Sequence, residues 1–194
     1  SKVVVDAFEF NRTKINTADM IAAAKVRGSV ESLSMKSRGI NLSEQAVELN
    51  GARLEGAWLD VQLNDTITPE DTTTSATTLW KIMADSLVIA RTELPLHMPG
   101  DTMSVKAYLG KATVGDALID LGTQRYAVDR FRLNDGTLAY DNNYEPQTEG
   151  LDYNHIALGG INIAVDSILY QAPLLKLNVK DFRMKEKSGL EIAK

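Results

Sequence analysis

The sequence predicts an all-β chain of mostly antiparallel strands, with one short helix near the N-terminus. Two observations predict the strands. Apolar and polar residues alternate over five or more positions at several places, the period of a strand with one apolar and one solvated face. That one-sided pattern belongs to antiparallel or meandering sheets rather than to parallel sheets covered on both faces. The second observation is a recurring interruption, in which two polar residues separate apolar ones and shift the alternation between odd and even positions. The chain has 194 residues, 44% hydrophobic and 24% charged, which suits one folded domain or one segment of a longer protein.

In chain order, Val3, Val4 and Val5 open with strand-like composition. Thr17-Ala-Asp-Met-Ile-Ala-Ala-Ala-Lys-Val26 reads as the helix, with Thr17 as its cap and Met20, Ala23 and Ala24 on one face. Leu59, Val61 and Leu63 alternate as a strand. The Thr-rich stretch at 64–78 has nothing to pack a core and reads as a surface loop. Leu94, Leu96 and Met98 form the next apolar set, followed by Met103, Val105, Ala107 and Leu109. Asn134-Asp-Gly136, between Phe131/Leu133 and Leu138/Tyr140, is a hairpin signal. A second loop covers 141–152, and strands return at Ile161, Ile163 and Val165 and at Leu175, Leu177 and Val179. Ser188–Lys194 reads as a further strand. Ser1 and this terminal strand give the chain the look of an interior piece of a longer protein.

The phase changes fall at Val30-Glu-Ser-Leu33, Leu49-Asn-Gly-Ala52, Ala84-Asp-Ser-Leu87, Val128-Asp-Arg-Phe131, Val165-Asp-Ser-Ile168 and Val179-Lys-Asp-Phe182. A one-residue slip throws the next apolar set onto the wrong face, so a bulge, bend or tight turn must restore it. These sites read as corners of one degenerate repeated unit.

Composition removes several function classes. A net charge of -5 with no basic block argues against nucleic-acid binding. No stretch approaches the roughly 18 consecutive apolar residues of a membrane helix. The absence of cysteine excludes a disulfide framework, a thiolate metal site and a cysteine nucleophile. No phosphate-binding, dinucleotide-binding, serine-hydrolase or zinc-protease motif occurs. His97, opposite the apolar face of its strand, and His155, after a loop, read as surface residues. Asp141-Asn-Asn-Tyr-Glu145 places oxygen donors at alternate positions but lacks the central Gly and distal Glu of a calcium loop, so an ordinary turn is expected.

The C-terminal third carries a resemblance. Leu133-Asn-Asp-Gly-Thr-Leu-Ala-Tyr-Asp-Asn-Asn143, Gly150-Leu-Asp-Tyr-Asn-His-Ile-Ala-Leu158, Ile161-Asn-Ile-Ala-Val-Asp-Ser-Ile-Leu-Tyr170 and Phe182-Arg-Met-Lys-Glu-Lys-Ser-Gly-Leu-Glu-Ile192 resemble the TamB proteins of the AsmA-like group, the translocation and assembly modules of Gram-negative envelopes. Ile15-Asn-Thr-Ala-Asp19, Gly39-Ile-Asn-Leu-Ser43 and Leu49-Asn-Gly-Ala-Arg-Leu-Glu-Gly-Ala57 fit as well. The resemblance implies an elongated half-pipe, or repeating β-groove, in which short antiparallel strands are polar outside and apolar inside. It implies a periplasmic segment of a protein anchored in the inner membrane. It also implies phospholipid transport, outer-membrane assembly and an Omp85-type barrel as the full-length protein's partner. The family brings no catalytic residues and no cofactor, so none is expected here.

The residues add a physical reason. Each acyl methylene moved from water to an apolar wall gains about 0.8 kcal/mol. Candidates for a lipid-groove lining are Leu94, Leu96, Met98, Val105, Leu109, Ile119, Leu121, Ile161, Ile163, Val165, Leu175, Leu177 and Val179. By themselves these residues also suit a closed core, and the resemblance turns the reading toward an open groove. The alternative is a structural or adhesive β-sandwich or solenoid that binds protein or glycan through its loops, with Trp58, Trp80, Tyr144 and Tyr153 as contacts. A third reading, a carbohydrate-active β-helix enzyme, needs paired carboxylates in a cleft. Open strand edges also invite an edge-to-edge homodimer.

Overall fold

The computed structural model describes residues 2–3, 6–21, 24–63, 80–98 and 103–194. These residues form ten strands: β1 (Lys2–Val3), β2 (Ala7–Ile21), β3 (Ala24–Asn41), β4 (Ala46–Leu63), β5 (Lys81–His97), β6 (Met103–Asp120), β7 (Arg125–Asn142), β8 (His155–Gln171), β9 (Leu174–Glu186) and β10 (Glu191–Ala193). They join one open sheet in the order β1-β3-β4-β5-β6-β7-β8-β9-β10, with β2 beside β1 on the same edge of β3. Neighbours are antiparallel except β4 and β5, which run parallel with Ala46 opposite Lys81 and Gln62 opposite His97. A parallel pair requires the chain to return to the same end of the sheet. The connection that does so, including the Thr-rich loop expected at 64–78, lies outside the described residues.

The strands are long rather than short: β3, β4, β6 and β7 each have 18 residues, about three times the usual length. They stay in one sheet because the phase changes occur inside them. Where a strand with a phase change faces one without, the register shows it directly. Val165 and Ile168 pair with Val179 and Leu177, so three steps on β8 match two on β9. Leu133 and Gly136 pair in the same way with Ile163 and Ile161. Residues two apart on the partner share a face, so the residues three apart on the shifted strand share it too. The same test holds for Leu49 and Ala52 against Ser37 and Met35, and for Val179 and Phe182 against Val165 and Ile163.

Elsewhere both neighbours shift together and the register is unbroken. Val30–Leu33 faces Leu54–Ala57, which runs beside Ile89–Thr92; that segment faces Leu109–Ala112, which faces Leu133–Gly136. A second line links Leu49–Ala52, Ala84–Leu87, Val114–Ala117, Val128–Phe131 and Val165–Ile168. Two lines of phase change therefore cross the sheet from strand to strand and divide it into three panels. In five of these four-residue segments the third residue has positive φ, namely Gly56, Arg91, Asp116, Asp135 and Ser167, between 48° and 86°, and Arg12 in β2 and Gly160 in β8 take the same conformation at 51° and 56°. This left-handed step rotates the chain so that the next apolar residue returns to the same side, and it bends the strand.

Burial follows the bends. Val30, Ala57, Ala112, Leu133 and Ile161 are buried on the first line and Ala84, Ala117 and Val165 on the second. Ala112, Leu133 and Ile161 pack with Ile89, Leu109, Phe131, Leu138, Leu158, Ile163 and Met184. Each strand packs chiefly against its sheet neighbours, and no second layer of described residues covers either face. A single layer buries side chains only by curving over them.

Two expectations are corrected here. Thr17–Val26 is not a helix: β2 continues to Ile21 and β3 begins at Ala24, with Thr17 opposite Val26 and Ile21 opposite Ala24. A ten-residue helix is marginal in water, whereas this hairpin joins its backbone to a long ladder that β2 and β3 already share. Asn134-Asp-Gly136 is not a hairpin either, since β7 runs through it with β6 and β8 on both sides. The left-handed preference that makes Asn-Asp-Gly a turn signal serves a bend within a strand equally well.

Candidate functional site

The apolar face of the sheet is the candidate site, and three rows build it, one in each panel. The first runs Val26, Val61, Leu96, Val105, Tyr140, Ile156 through successive cross-strand pairs. The middle row runs Phe10, Leu33, Leu54, Ile89, Ala112, Leu133, Ile163, Phe182. The third runs Ile40, Val47, Ile82, Ile119, Tyr126, Tyr170, Leu175. Every member of all three rows is apolar or aromatic. The Tyr126 and Tyr170 rings lie 5.9 Å apart at 31°.

Eleven of the thirteen proposed lining residues lie in strands on this face. Leu96 and Val105 belong to the first row, Ile163 to the middle row, and Ile119 and Leu175 to the third. Leu94 faces Ala107, Leu109 faces Gly136 and Gly136 faces Ile161, while Val165 faces Val179 and Leu177 faces Ile168. Met98 and Leu121 lie just beyond strand ends: the Met98 amide donates to the Met103 carbonyl at 2.9 Å, and the Leu121 amide to the Trp80 carbonyl at 3.1 Å. Ile161 and Val165 are buried, but Leu175 and Leu177 remain more than half exposed, at 57% and 54%. The sequence reading missed the N-terminal half of the rows, notably Val26, Leu33, Leu54 and Ile89. At Leu54 and Ile89 the alternation breaks at a phase change, and Ile89-Ala-Arg-Thr92, with apolar Ala90 inside and polar Thr92 at its end, lacks the two-polar interruption seen at Val30–Leu33.

Polar side chains near the bends satisfy backbone groups that the ladder leaves free. Arg132 donates through Nη1 to the carbonyls of Val165 at 2.8 Å and Phe131 at 3.0 Å, and through Nη2 to Asp166 at 2.6 Å. Asn162 accepts from the Asp135 amide at 3.3 Å and donates to the Gly160 carbonyl at 2.9 Å. Thr92, fully buried, donates its hydroxyl to the Ala90 carbonyl at 3.1 Å.

Ion pairs join these bonds: Arg91 with Glu31 at 3.0 Å, Arg130 with Asp116 at 3.2 Å, and Arg38 with Asp85. The Glu55 carboxyl is held below its ordinary range by a hydrogen bond from Arg53, against some desolvation.

Both histidines have carboxylate neighbours, and neither stands as an isolated surface residue. His97 Nε2 lies 3.2 Å from Oδ1 of the buried Asp60, whose Oδ2 accepts from Arg27 Nε and Nη2 at 2.8 and 2.7 Å. His155 Nδ1 lies 3.1 Å from Asp152 Oδ2, and Asp152 Oδ1 accepts the backbone amides of Asn154 and His155. Burial raises the Asp152 pKa, but bonds from the Asn154 and Gln147 amides and the His155 side chain outweigh it and hold the group ionised to lower pH. The loop that follows β7 exposes Tyr144 and Tyr153, at 72% and 65%. Trp58 is partly exposed, and Trp80 precedes β5 half-buried. Among the described residues, no three His, Asp or Glu side chains converge to hold a metal ion.

A cleft of about 790 Å³ is bounded by β8, β9 and β10, with Leu158, Gly160, Met184 and Ile192 among its walls. Buried Glu186 closes one side of it. Its carboxylate accepts the Ser188 amide at 2.6 Å and the Ala157 amide at 3.3 Å, and the bonds from Ser188 hold its pKa down. No family model and no curated protein sequence matches this chain.

Proposed function

We propose that this chain is a non-enzymatic segment of a TamB-like envelope protein, whose apolar face conducts phospholipid acyl chains between the inner and outer membranes. One observation carries the reading: three uninterrupted apolar rows cross the sheet, and no second layer of described residues covers them. A face of that kind, left to water, loses the burial free energy that its side chains are able to gain. Hydrocarbon regains it at about 0.8 kcal/mol per methylene and needs no directional partner. The rows suit a tail in length as well. Seven strands at about 4.8 Å spacing span about 29 Å, and a tail crossing one leaflet needs about 15 Å. Polar headgroups remain in solvent along the open side, so the wall does not select among them.

In this reading the segment belongs to a periplasmic protein that supports outer-membrane assembly and meets an Omp85-type barrel through its full length. The adhesive sandwich is less favoured because it needs two facing sheets, and the described residues form one. The test is photo-crosslinking in the presence of phospholipid vesicles. Benzophenone side chains at Leu54 and Leu96, on the apolar face, are expected to capture lipid, and those at Arg53 and Lys106, on the opposite face, are not. Equal labelling of both faces, or none at either, refutes the proposal.

A further inference from the structure

We propose that a recess on the polar face of the sheet, over β6, β7 and β8, binds inorganic phosphate as hydrogen phosphate, the form that keeps one proton. The recess holds about 200 Å³ and is walled by Ser104, Lys106, Asp141, His155 and Lys187, with Ala139 and Ala157 as its floor. Strand register builds it. Lys106 stands opposite Ala139 and Ala139 opposite Ala157, and the Lys187 amide donates to the Ala157 carbonyl at 3.0 Å. Two lysines therefore flank two alanines in one row, about 14 Å apart across three strand spacings. The small methyl groups keep the floor low, and each four-carbon stem can lean its ammonium inward over it. The next row sets Ser104 opposite Asp141 and Asp141 opposite His155, which forms one wall.

The charges in this recess run against those of the chain. Its two ammoniums face one carboxylate, in a protein whose net charge is -5. Neither ammonium is ion-paired with a described residue, whereas Lys185 close by is paired with Glu191 at 2.9 Å. His155 is a fixed wall: Asp152 holds its Nδ1 at 3.1 Å, and its Nε2 lies 4.0 Å from Asp141 Oδ2, beyond hydrogen-bond distance. Two cations without partners in a concavity favour an anion there. The Ser104 hydroxyl adds a third donor, and Asp141 adds an acceptor. An anion with four oxygens and one proton matches all four groups. It accepts from Lys106, Lys187 and Ser104 and donates its own O–H to Asp141. Hydrogen phosphate is such an anion at neutral pH. Sulfate has the same shape and charge but no proton, so it sets an oxygen lone pair against the carboxylate. A phosphodiester headgroup has no proton either. The site lies on the face opposite the apolar rows and does not depend on what those rows bind.

The test is isothermal titration of the chain with inorganic phosphate at neutral pH and constant ionic strength. Phosphate is expected to bind at a single site, and sulfate at least about tenfold more weakly. Asp141→Asn, which offers either anion an N–H, is expected to erase that preference. Glycerol 3-phosphate, mostly without its proton at neutral pH, is expected to bind as weakly as sulfate. Lys106→Gln and Lys187→Gln are each expected to weaken phosphate binding by about tenfold. Lys176→Gln, the same loss of charge on β9 away from the recess, leaves it unchanged. Ala139→Leu raises the floor without altering charge and is expected to abolish binding, with strand content unchanged by circular dichroism. No binding of phosphate, equal affinity for phosphate and either sulfate or glycerol 3-phosphate, or an equal loss in Lys176→Gln overturns the proposal.

Discussion

Gly56 is where the bent-strand architecture is most sharply exposed to a single substitution. It is the third residue of Leu54–Ala57, its φ is 59°, and it sits on the line where β3, β4 and β5 bend together. A side chain with a Cβ pays about 1–2 kcal/mol to hold this left-handed conformation. A Cβ at this position also meets the Glu31 side chain, 2.6 Å from Cγ and nearer still to Cδ and Oε2. Glu31 is exposed and can swing away, giving up its ion pair with Arg91 at 3.0 Å, an exposed contact worth about 0.2–1 kcal/mol. Gly56→Ala is therefore expected to cost about 2 kcal/mol, or about 4–8 °C in melting temperature for a chain of this length. Gly56→Asn is expected to cost about half as much in backbone strain, since Asn tolerates this region. Adding Glu31→Ala to Gly56→Ala removes the collision and leaves the backbone cost, so the double variant recovers part of the loss and not all of it. Thermal melts followed by circular dichroism measure all four proteins. If Gly56→Ala melts within about 1 °C of the parent, the left-handed step is not what holds the bend.

Gly28→Ala is expected to be more damaging than an ordinary surface change, by about 2 kcal/mol or more, because the added Cβ falls on the Trp58 carbonyl and 3.2 Å from Leu59 Cα, and backbone cannot swing aside; urea denaturation gives the value. Leu133→Ala, at the centre of the packed cluster, is expected to cost about 2–4 kcal/mol, whereas Leu177→Ala on the exposed end of β9 stays within about 1 kcal/mol; equal losses at the two sites contradict the burial pattern. Glu186 predicts a pH effect: its folded pKa lies below the ordinary value of 4.5, so it stabilises above that value and the contribution is lost as pH falls through the lowered one. Amide exchange in residues 187–193 is expected to accelerate there in the parent chain, and to show a smaller pH dependence in Glu186→Gln.

The sites at which the expectations failed share a cause. Thr17–Val26 has helical spacing and a capping residue, and only its pairing across the β2–β3 hairpin makes it extended. Asn134-Asp-Gly136 has turn chemistry, and only the continuing ladders to β6 and β8 keep it inside a strand. In both, local preference of about a kilocalorie per mole met a backbone ladder extending over more than ten residues. The candidate face was legible where alternation was clean, at Leu94–Leu96 and Ile161–Val165. It was not legible at Leu54 and Ile89, where each apolar residue stands next to a phase change and the pattern breaks.

By itself the amino-acid order determined that the chain is predominantly strand, that each strand is apolar on one side, and that the side is restored after each two-residue interruption. Those properties are local, set by the two-residue period of an extended backbone and by which side chains occupy it. Only the tertiary structure decided that the interruptions align in two lines across the sheet, that β4 and β5 run parallel, and that no described layer closes over the apolar rows. Register, direction and layering join residues far apart in sequence through backbone hydrogen bonds, and those bonds are the same for every residue type, so composition carries no record of them.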